Sequence, residues 1–215
     1  MIIDFKRKGF SISSTFLLDH IKVVSILYLC LIVASYFFID KSLAAFFNSL
    51  SPIAHYPFLL IEKLFCPIAW ALITPTVFFY IRFILRKEKK SRKLWYVSLA
   101  IPLTALICKI LEVSFGRATP EWFFLHQESP FRFLEWNHSF HSFPSITAVT
   151  IAALATSLSC ILAKYRFFLL TGGALLTFVP VISANCFLSD ALAGFYVGAV
   201  LAQWIFKMMR KEISI

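Results

Sequence analysis

The sequence predicts an all-α integral membrane protein, a single domain over residues 1–215 whose six transmembrane helices form a bundle. The chain is 60% hydrophobic and has a mean hydropathy of +0.80, far more apolar than a soluble domain needs. Its apolar residues form six runs of about 20 residues, the length with which a helix crosses a bilayer. In lipid these runs must be helices, because an isolated strand would leave its backbone groups unpaired. The runs are 21–39, 64–85, 95–115, 145–163, 167–187 and 188–206.

The basic residues predict how the helices are oriented. The net charge of +10 comes from short Lys and Arg clusters between the apolar runs, which favours contact with lipid headgroups over an extended nucleic-acid-binding face. The clusters precede the first run, separate the second from the third and the fourth from the fifth, and follow the sixth. Since basic segments stay in the cytoplasm, both termini are expected there and the loop 116–144 outside. We expect a multi-pass protein of the bacterial inner membrane.

A short helix is predicted between the first two runs. Leu43, Phe46, Phe47 and Leu50 repeat at helical spacing, so they form one apolar side of a helix. That helix would lie on the outer membrane interface or pack against the bundle, and the pattern does not choose between the two.

The polar loop 116–144 is the place to look for chemistry, because long loops in compact proteins are often functional. It collects titratable side chains beside Trp122 and Trp136, which suits a polar lipid headgroup, although a solvated external loop has the same composition. Within the spans, Lys109 and Glu112 are three residues apart and can pair on one helix face. Asp190 begins an apolar run, where a carboxylate caps the helix or has a partner or task. The loop's titratable residues are Arg117, Glu121, His126, Glu128, Arg132, Glu135, His138 and His141.

Three segments, in this order, resemble the motifs of the type 2 phosphatidic acid phosphatases, a family of membrane lipid phosphatases that includes haloperoxidase-like proteins. They are Gly-Arg-Ala-Thr-Pro at 116–120, His-Ser-Phe-Pro-Ser at 141–145 and Leu-Ser-Asp-Ala-Leu-Ala-Gly at 188–194. The resemblance implies that bundle of six helices, with the third, fourth and sixth spans packed together and the motifs outside. In the family, one Lys and two Arg bind phosphate, one His is the acid, a second His is the nucleophile and an Asp orients it.

The first two motifs keep their scaffold residues and lose their chemistry. Pro120 matches the first motif, which puts Glu112 at its Lys position and Thr119 at its Arg position. Ser145, after Pro144, matches the second motif, and Thr147 then stands at the acid His. The groups that would bind phosphate and protonate the leaving group are therefore absent from these positions.

The third motif shows the same pattern. Asp190 matches, whereas Cys186 stands at the nucleophilic His and Pro180 at the Arg. A catalytic cysteine needs cationic neighbours, and here an acid is close and no base, so a buried structural thiol is favoured. With no spaced metal motif among the cysteines, we expect neither a metal nor another cofactor.

These substitutions favour a catalytically degenerate member that keeps the fold to bind a lipid or a partner helix. Asp190, Cys186 and Thr147 would then be catalytic positions without activity. The alternative is an atypical lipid-phosphate or lipid-pyrophosphate phosphatase or phosphotransferase, in which Lys109, Arg117, His141 and Ser145 would bind substrate. Both hypotheses give the protein membrane lipids as partners, including those with phosphorylated headgroups, and no nucleic acid. A transporter is disfavoured because the spans carry few charges.

The orientation can be tested with topology reporters. Fusions after Lys90 and after Lys211 should report the cytoplasm, and an insertion near Gln127 should report the outside, because basic loops are retained inside. A cytoplasmic signal at Gln127 would move the loop 116–144 and its candidate residues to the opposite face of the membrane.

Overall fold

The computed structural model describes residues 21–84, 88–126 and 131–213, and within these ranges it contains helices and no β-strand. The single bridge of strand type, between Arg117 and Phe131, joins two ends of the long loop. We number the helices α1 to α10; α4 continues into a π-helical turn, Tyr80–Ile84. The helices are α1 Ile21–Phe38, α2 Asp40–Asn48, α3 Pro52–Leu64, α4 Pro67–Phe79, α5 Glu88–Phe115, α6 Pro120–His126, α7 Ile146–Ile161, α8 Arg166–Leu176, α9 Val179–Ile182 and α10 Leu188–Ile213.

The all-α membrane architecture predicted from the sequence is confirmed. Five described segments are long and apolar enough to cross a membrane, and α7 is a shorter apolar helix of 16 residues. The predicted count of six is therefore approximate. The five segments are Ile21–Phe38, Ile53–Ile84, Lys93–Phe115, Ala163–Ile182 and Leu188–Met209.

Two predicted runs differ from the helices that form. The run 64–85 is part of a longer apolar segment, which is divided at Phe65 and Cys66 because Pro67 begins a new helix. The run 167–187 is divided after Leu176, since the ring of Pro180 would clash with the Leu176 carbonyl in a continuous helix. Residues 183–187 then form a non-helical link to α10.

The short helix predicted after the first span is α2, and it packs against the bundle. Asp40 and Ala44 are buried, and Leu43 and Phe47 pack on an apolar cluster from other parts of the chain. Phe46, on the other side of α2, is 59% exposed. Of the two alternatives that the pattern left open, packing on the bundle accounts for these contacts.

Helices α5, α7 and α10 form the centre of the bundle, and α7 is buried along most of its length. Helices α7 and α10 run in parallel, since Ala148 faces Gly194 and Ala152 faces Gly198 one turn later. A Cβ atom at Gly198 would lie 2.5 Å from the Val149 carbonyl oxygen. Two glycines four residues apart thus allow two backbones to touch, as small residues do in other membrane proteins.

This close approach predicts different costs for adding the same methyl group at two glycines. Gly198→Ala should destabilise the protein by about 1–3 kcal/mol, because the contacting atom is backbone and cannot rotate away. Gly172→Ala, in α8, is the matched control, because its Cβ would meet nothing within 4 Å. Thermal unfolding in detergent should separate the two variants, and equal melting temperatures would contradict the packing of α7 on α10.

Candidate functional site

Asp190 lies in the first turn of α10, where it is fully buried. Its Oδ2 accepts hydrogen bonds from Ser142 Oγ at 2.5 Å and from the Phe187 backbone N–H at 3.0 Å. Its Oδ1 accepts from Arg117 Nη1. We call the part of the bundle around the start of α10 the Asp190 end. Both oxygens of the matching aspartate are therefore occupied by groups of the protein itself.

Arg117 is buried between two carboxylates. Its Nη1 donates to Asp190 and, at 2.7 Å, to Ser189 Oγ, while its Nη2 donates to Asp40 Oδ2 at 2.8 Å. Ser189 binds Asp40 in turn through its backbone N–H, at 2.9 Å. We call Asp40, Arg117 and Asp190 the buried ion network. It joins the start of α2, the loop after α5 and the start of α10.

The charge of Arg117 follows from these neighbours. Burial lowers the pKa of the guanidinium, but Asp190 and Asp40 together raise it by more than burial lowers it. The pKa of Arg117 therefore lies above its ordinary value, and the side chain stays charged. The guanidinium carbon also lies 4.3 Å from the ring centre of Phe187 and 4.9 Å from that of Tyr36. Aromatic faces stabilise a buried cation, so the site around Arg117 is suited to its guanidinium.

A glycine places Arg117 in this position. Gly116 follows α5 with a φ of +54°, and a Cβ there would overlap the Arg132 carbonyl oxygen. Only glycine adopts this conformation without strain, which ends the helix and turns the chain back into the protein. The Arg132 backbone N–H then donates to the Gly116 carbonyl at 2.7 Å. The Gly-Arg pair of the first motif therefore has a structural task.

Cys186 is buried in the link before α10, with the Ser145 side chain and the carboxylates of Asp190 and Glu62 nearby. Burial raises the pKa of the Cys186 thiol well above its ordinary value, and Asp190 raises it further. Arg117 lowers it by less, so the thiol stays protonated. A protonated, buried thiol is a poor nucleophile.

Thr147, at the acid position of the second motif, lies in the first turn of α7 and donates to Glu62 Oε1 at 3.4 Å. Glu62 Oε2 accepts from Ser183 Oγ and from Asn185 Nδ2, both at 2.6 Å. This carboxylate comes from the end of α3 and connects that helix to α7 and to the link before α10. The hydroxyl of Thr147 is a far weaker acid than an imidazolium, so it does not replace one as the proton donor to a leaving group.

Ser145 and the Lys109 pair complete the predicted residues. Ser145 caps α7, because its Oγ accepts from the Ala148 N–H at 3.4 Å, and its own N–H donates to the Asp190 carbonyl at 3.1 Å. Lys109 Nζ lies 3.0 Å from Glu112 Oε2, and 2.9 Å from His141 Nδ1. Because the ammonium group only donates, His141 Nδ1 accepts, and its Nε2 donates to the Glu135 carbonyl at 3.1 Å.

The site thus brings together Arg117, Ser145, Cys186 and Asp190, whereas Lys109 and His141 form a separate pair beside it. Asp40 and Glu62 were not singled out from the sequence. Their only signal was an acidic residue next to an apolar segment, which does not reveal a partner far along the chain.

The two cations among these residues are bound to carboxylates of the protein. Lys109 pairs with Glu112, and Arg117 pairs with Asp40 and Asp190. A phosphate group would have to compete with these carboxylates for both cations. Among the residues that the structure describes, no group of three His, Cys, Asp or Glu side chains could hold a metal ion.

Residues 93–214 match the family model described as PAP2 superfamily, from the early part of α5 to the end of the described chain. Searches of curated proteins and of solved structures found no match. The matched segment contains Arg117, Ser145, Cys186 and Asp190, whereas Asp40 and Glu62 lie before it. Two of the acids that bind the site residues therefore come from outside the matched region.

The buried ion network predicts a large effect of removing its cation. Arg117→Gln should destabilise the protein by about 3–5 kcal/mol, because two buried carboxylates lose their counter-charge. Adding Asp40→Asn and Asp190→Asn should recover part of this loss, since the uncompensated charges are then gone. Thermal unfolding in detergent measures both effects.

The exposed Arg132 provides the control for this experiment. Arg132→Gln should cost no more than about 1 kcal/mol, because the side chain is exposed and its guanidinium lies over an aromatic ring, 4.8 Å from the ring centre of Phe140. A similar loss for Arg117→Gln and Arg132→Gln would show that the network does not stabilise the fold.

Proposed function

The chain belongs to the PAP2 superfamily, and we propose that it is a member that has lost phosphoryl transfer and keeps the fold to bind a membrane lipid or a partner helix. The observation that carries this proposal is that the Asp190 carboxylate is already hydrogen-bonded to other groups of the protein. The aspartate that would orient a nucleophile instead accepts hydrogen bonds from Arg117, Ser142 and the Phe187 N–H. Both oxygens of this carboxylate are thus engaged by the protein itself, and the thiol at the nucleophile position is protonated.

The phosphate-binding positions support the same conclusion. Glu112 stands at the Lys position, is almost fully buried and is paired with Lys109. Its carboxylate also lies beside the Ile146 backbone N–H, at the N-terminus of α7. A helix N-terminus is a natural anion site, and here an anion of the protein already fills it.

One observation favours the enzymatic alternative, an atypical lipid-phosphate or lipid-pyrophosphate phosphatase or phosphotransferase. Lys109 Nζ and His141 Nδ1 are 2.9 Å apart, so a cation and an imidazole are adjacent near the site. Phosphoryl transfer would need both groups to face one substrate. Lys109 pairs with Glu112, and Arg117 pairs with two aspartates. These two positive charges are therefore neutralised by carboxylates of the protein and are not directed at the transition state of a substrate.

We further propose that the protein lies in the bacterial inner membrane with both termini in the cytoplasm, so that the Asp190 end faces outward. The basic segments support this orientation. The site would then meet lipids of the outer leaflet.

Activity assays test the loss of catalysis. The purified protein should release no phosphate above background from phosphatidic acid, phosphatidylglycerol phosphate, undecaprenyl pyrophosphate or lipid A. Removing a single donor to an oxyanion costs about a hundredfold to a thousandfold in rate, and here several are replaced together. Phosphate release should be measured in detergent micelles and in vesicles.

Two variants exclude a contaminating phosphatase. Asp190→Ala and Cys186→Ser should both match the background of the parent protein. Turnover by the parent that either substitution abolishes would establish the enzymatic alternative, and dependence on Cys186 would identify the thiol as the nucleophile.

A further inference from the structure

An apolar groove lies at the end of the bundle away from Asp190. It runs between α4, α5 and the last turns of α7, and it has a volume of about 480 Å³. Its walls include Ile73 and Val77 from α4, Ile81 from the π-helical turn and Leu158 from α7, and Lys93 lies at its edge. Among the described residues that line the groove, Lys93 is the only charged one.

The polar atoms in the groove wall need no ligand to satisfy them. Thr74 Oγ1 donates to the Trp70 carbonyl at 2.8 Å, and Trp70 Nε1 donates to the Leu64 carbonyl at 2.7 Å. The groove therefore presents hydrocarbon to its occupant, and a polar ligand would lose its hydration without gaining hydrogen bonds.

The length of the groove suits a lipid chain. From Trp70 in α4 to Ile81 in the π-helical turn, its wall extends about 16 Å at 1.5 Å per residue. The groove is therefore long enough to hold much of an extended acyl chain against an apolar wall.

Charge selects the headgroup. Arg82, Lys93, Lys164 and Arg166 are on segments that border this end of the groove, in the π-helical turn, at the start of α5 and after α7. Every Asp and Glu whose side chain the structure describes belongs instead to the Asp190 end or its loop. This end of the described bundle is therefore positive and attracts an anionic headgroup.

We propose that the groove binds one acyl chain of an anionic phospholipid, whose phosphate pairs with Lys93. The acyl chain lies along α4 between Ile81 and Trp70, and the headgroup stays at the basic end. This lipid site is separate from the Asp190 end, so it does not depend on whether that end is catalytic.

Native mass spectrometry of the delipidated full-length protein tests the site by measuring the affinity for the first bound lipid. Phosphatidylglycerol should bind about fivefold more tightly than phosphatidylcholine, since one lysine at a membrane surface is worth about 1 kcal/mol toward an anionic lipid. Lys93→Gln should remove this preference. Lys41→Gln, which removes an exposed lysine of α2 at the opposite end of the bundle, should keep it.

Filling the groove tests where the acyl chain lies. Val77→Trp should weaken the binding of both lipids at least tenfold, because several buried methylene groups lose their contacts. The matched control is Leu72→Trp, on the same helix, where Leu72 is 66% exposed and is not in the groove wall. Leu158→Phe gives a second way to fill the groove if Val77→Trp does not fold.

Three results would overturn the proposal. The first is equal affinity of the parent protein for the two lipids, and the second is parent-like lipid binding by the folded groove-filling variants. The third is a change of oligomeric state in Val77→Trp without a change in lipid binding, which would show that a helix occupies the groove.

Discussion

The burial of the Arg117 charge is the constraint on which the Asp190 end depends. A guanidinium removed from water loses several kilocalories per mole of solvation, and only well-placed anions and hydrogen bonds compensate for it. Asp40 and Asp190 provide the anions, and Ser189 contacts both Arg117 and Asp40. The position of α2, the path of the loop after α5 and the first turn of α10 are fixed together, because moving any one of them leaves a buried charge unmatched.

The network also bears on the function that we propose. Asp190 lies at the start of α10 and Ser145 caps α7, so two residues that match the family motifs stand at helix ends. The partner of this aspartate is a guanidinium, where the resemblance implies an imidazole. Under the proposed function, fold and chemistry separate at the level of single contacts. Asp190 then helps to hold three segments of the chain together.

Features that depend on the local sequence could be predicted better than contacts between distant residues. The helices followed from hydropathy, and the Lys109–Glu112 pair followed from a spacing of three residues on one helix. The breaks at Pro67 and Pro180 could have been read from proline alone, but hydropathy is uniform across them. Asp40 meets Arg117 across 77 positions, and Glu62 meets Asn185 across 123. No periodicity encodes such pairs, so the site could be located from the motifs while its electrostatics could not.

The break between α3 and α4 has a consequence for the depth of a charge in the membrane. The apolar segment Ile53–Ile84 has 32 residues, and as one straight helix it would be about 48 Å long, against about 30 Å of bilayer hydrocarbon. Divided at Phe65 and Cys66, it leaves α4 and its π-helical turn with 18 residues, about 27 Å, which match that thickness without marked tilt. Helix α3 is then free to follow another direction, and Glu62 reaches the level of Thr147 and Asn185. Dividing the helix therefore relieves hydrophobic mismatch while Glu62 binds Thr147 and Asn185 at the Asp190 end.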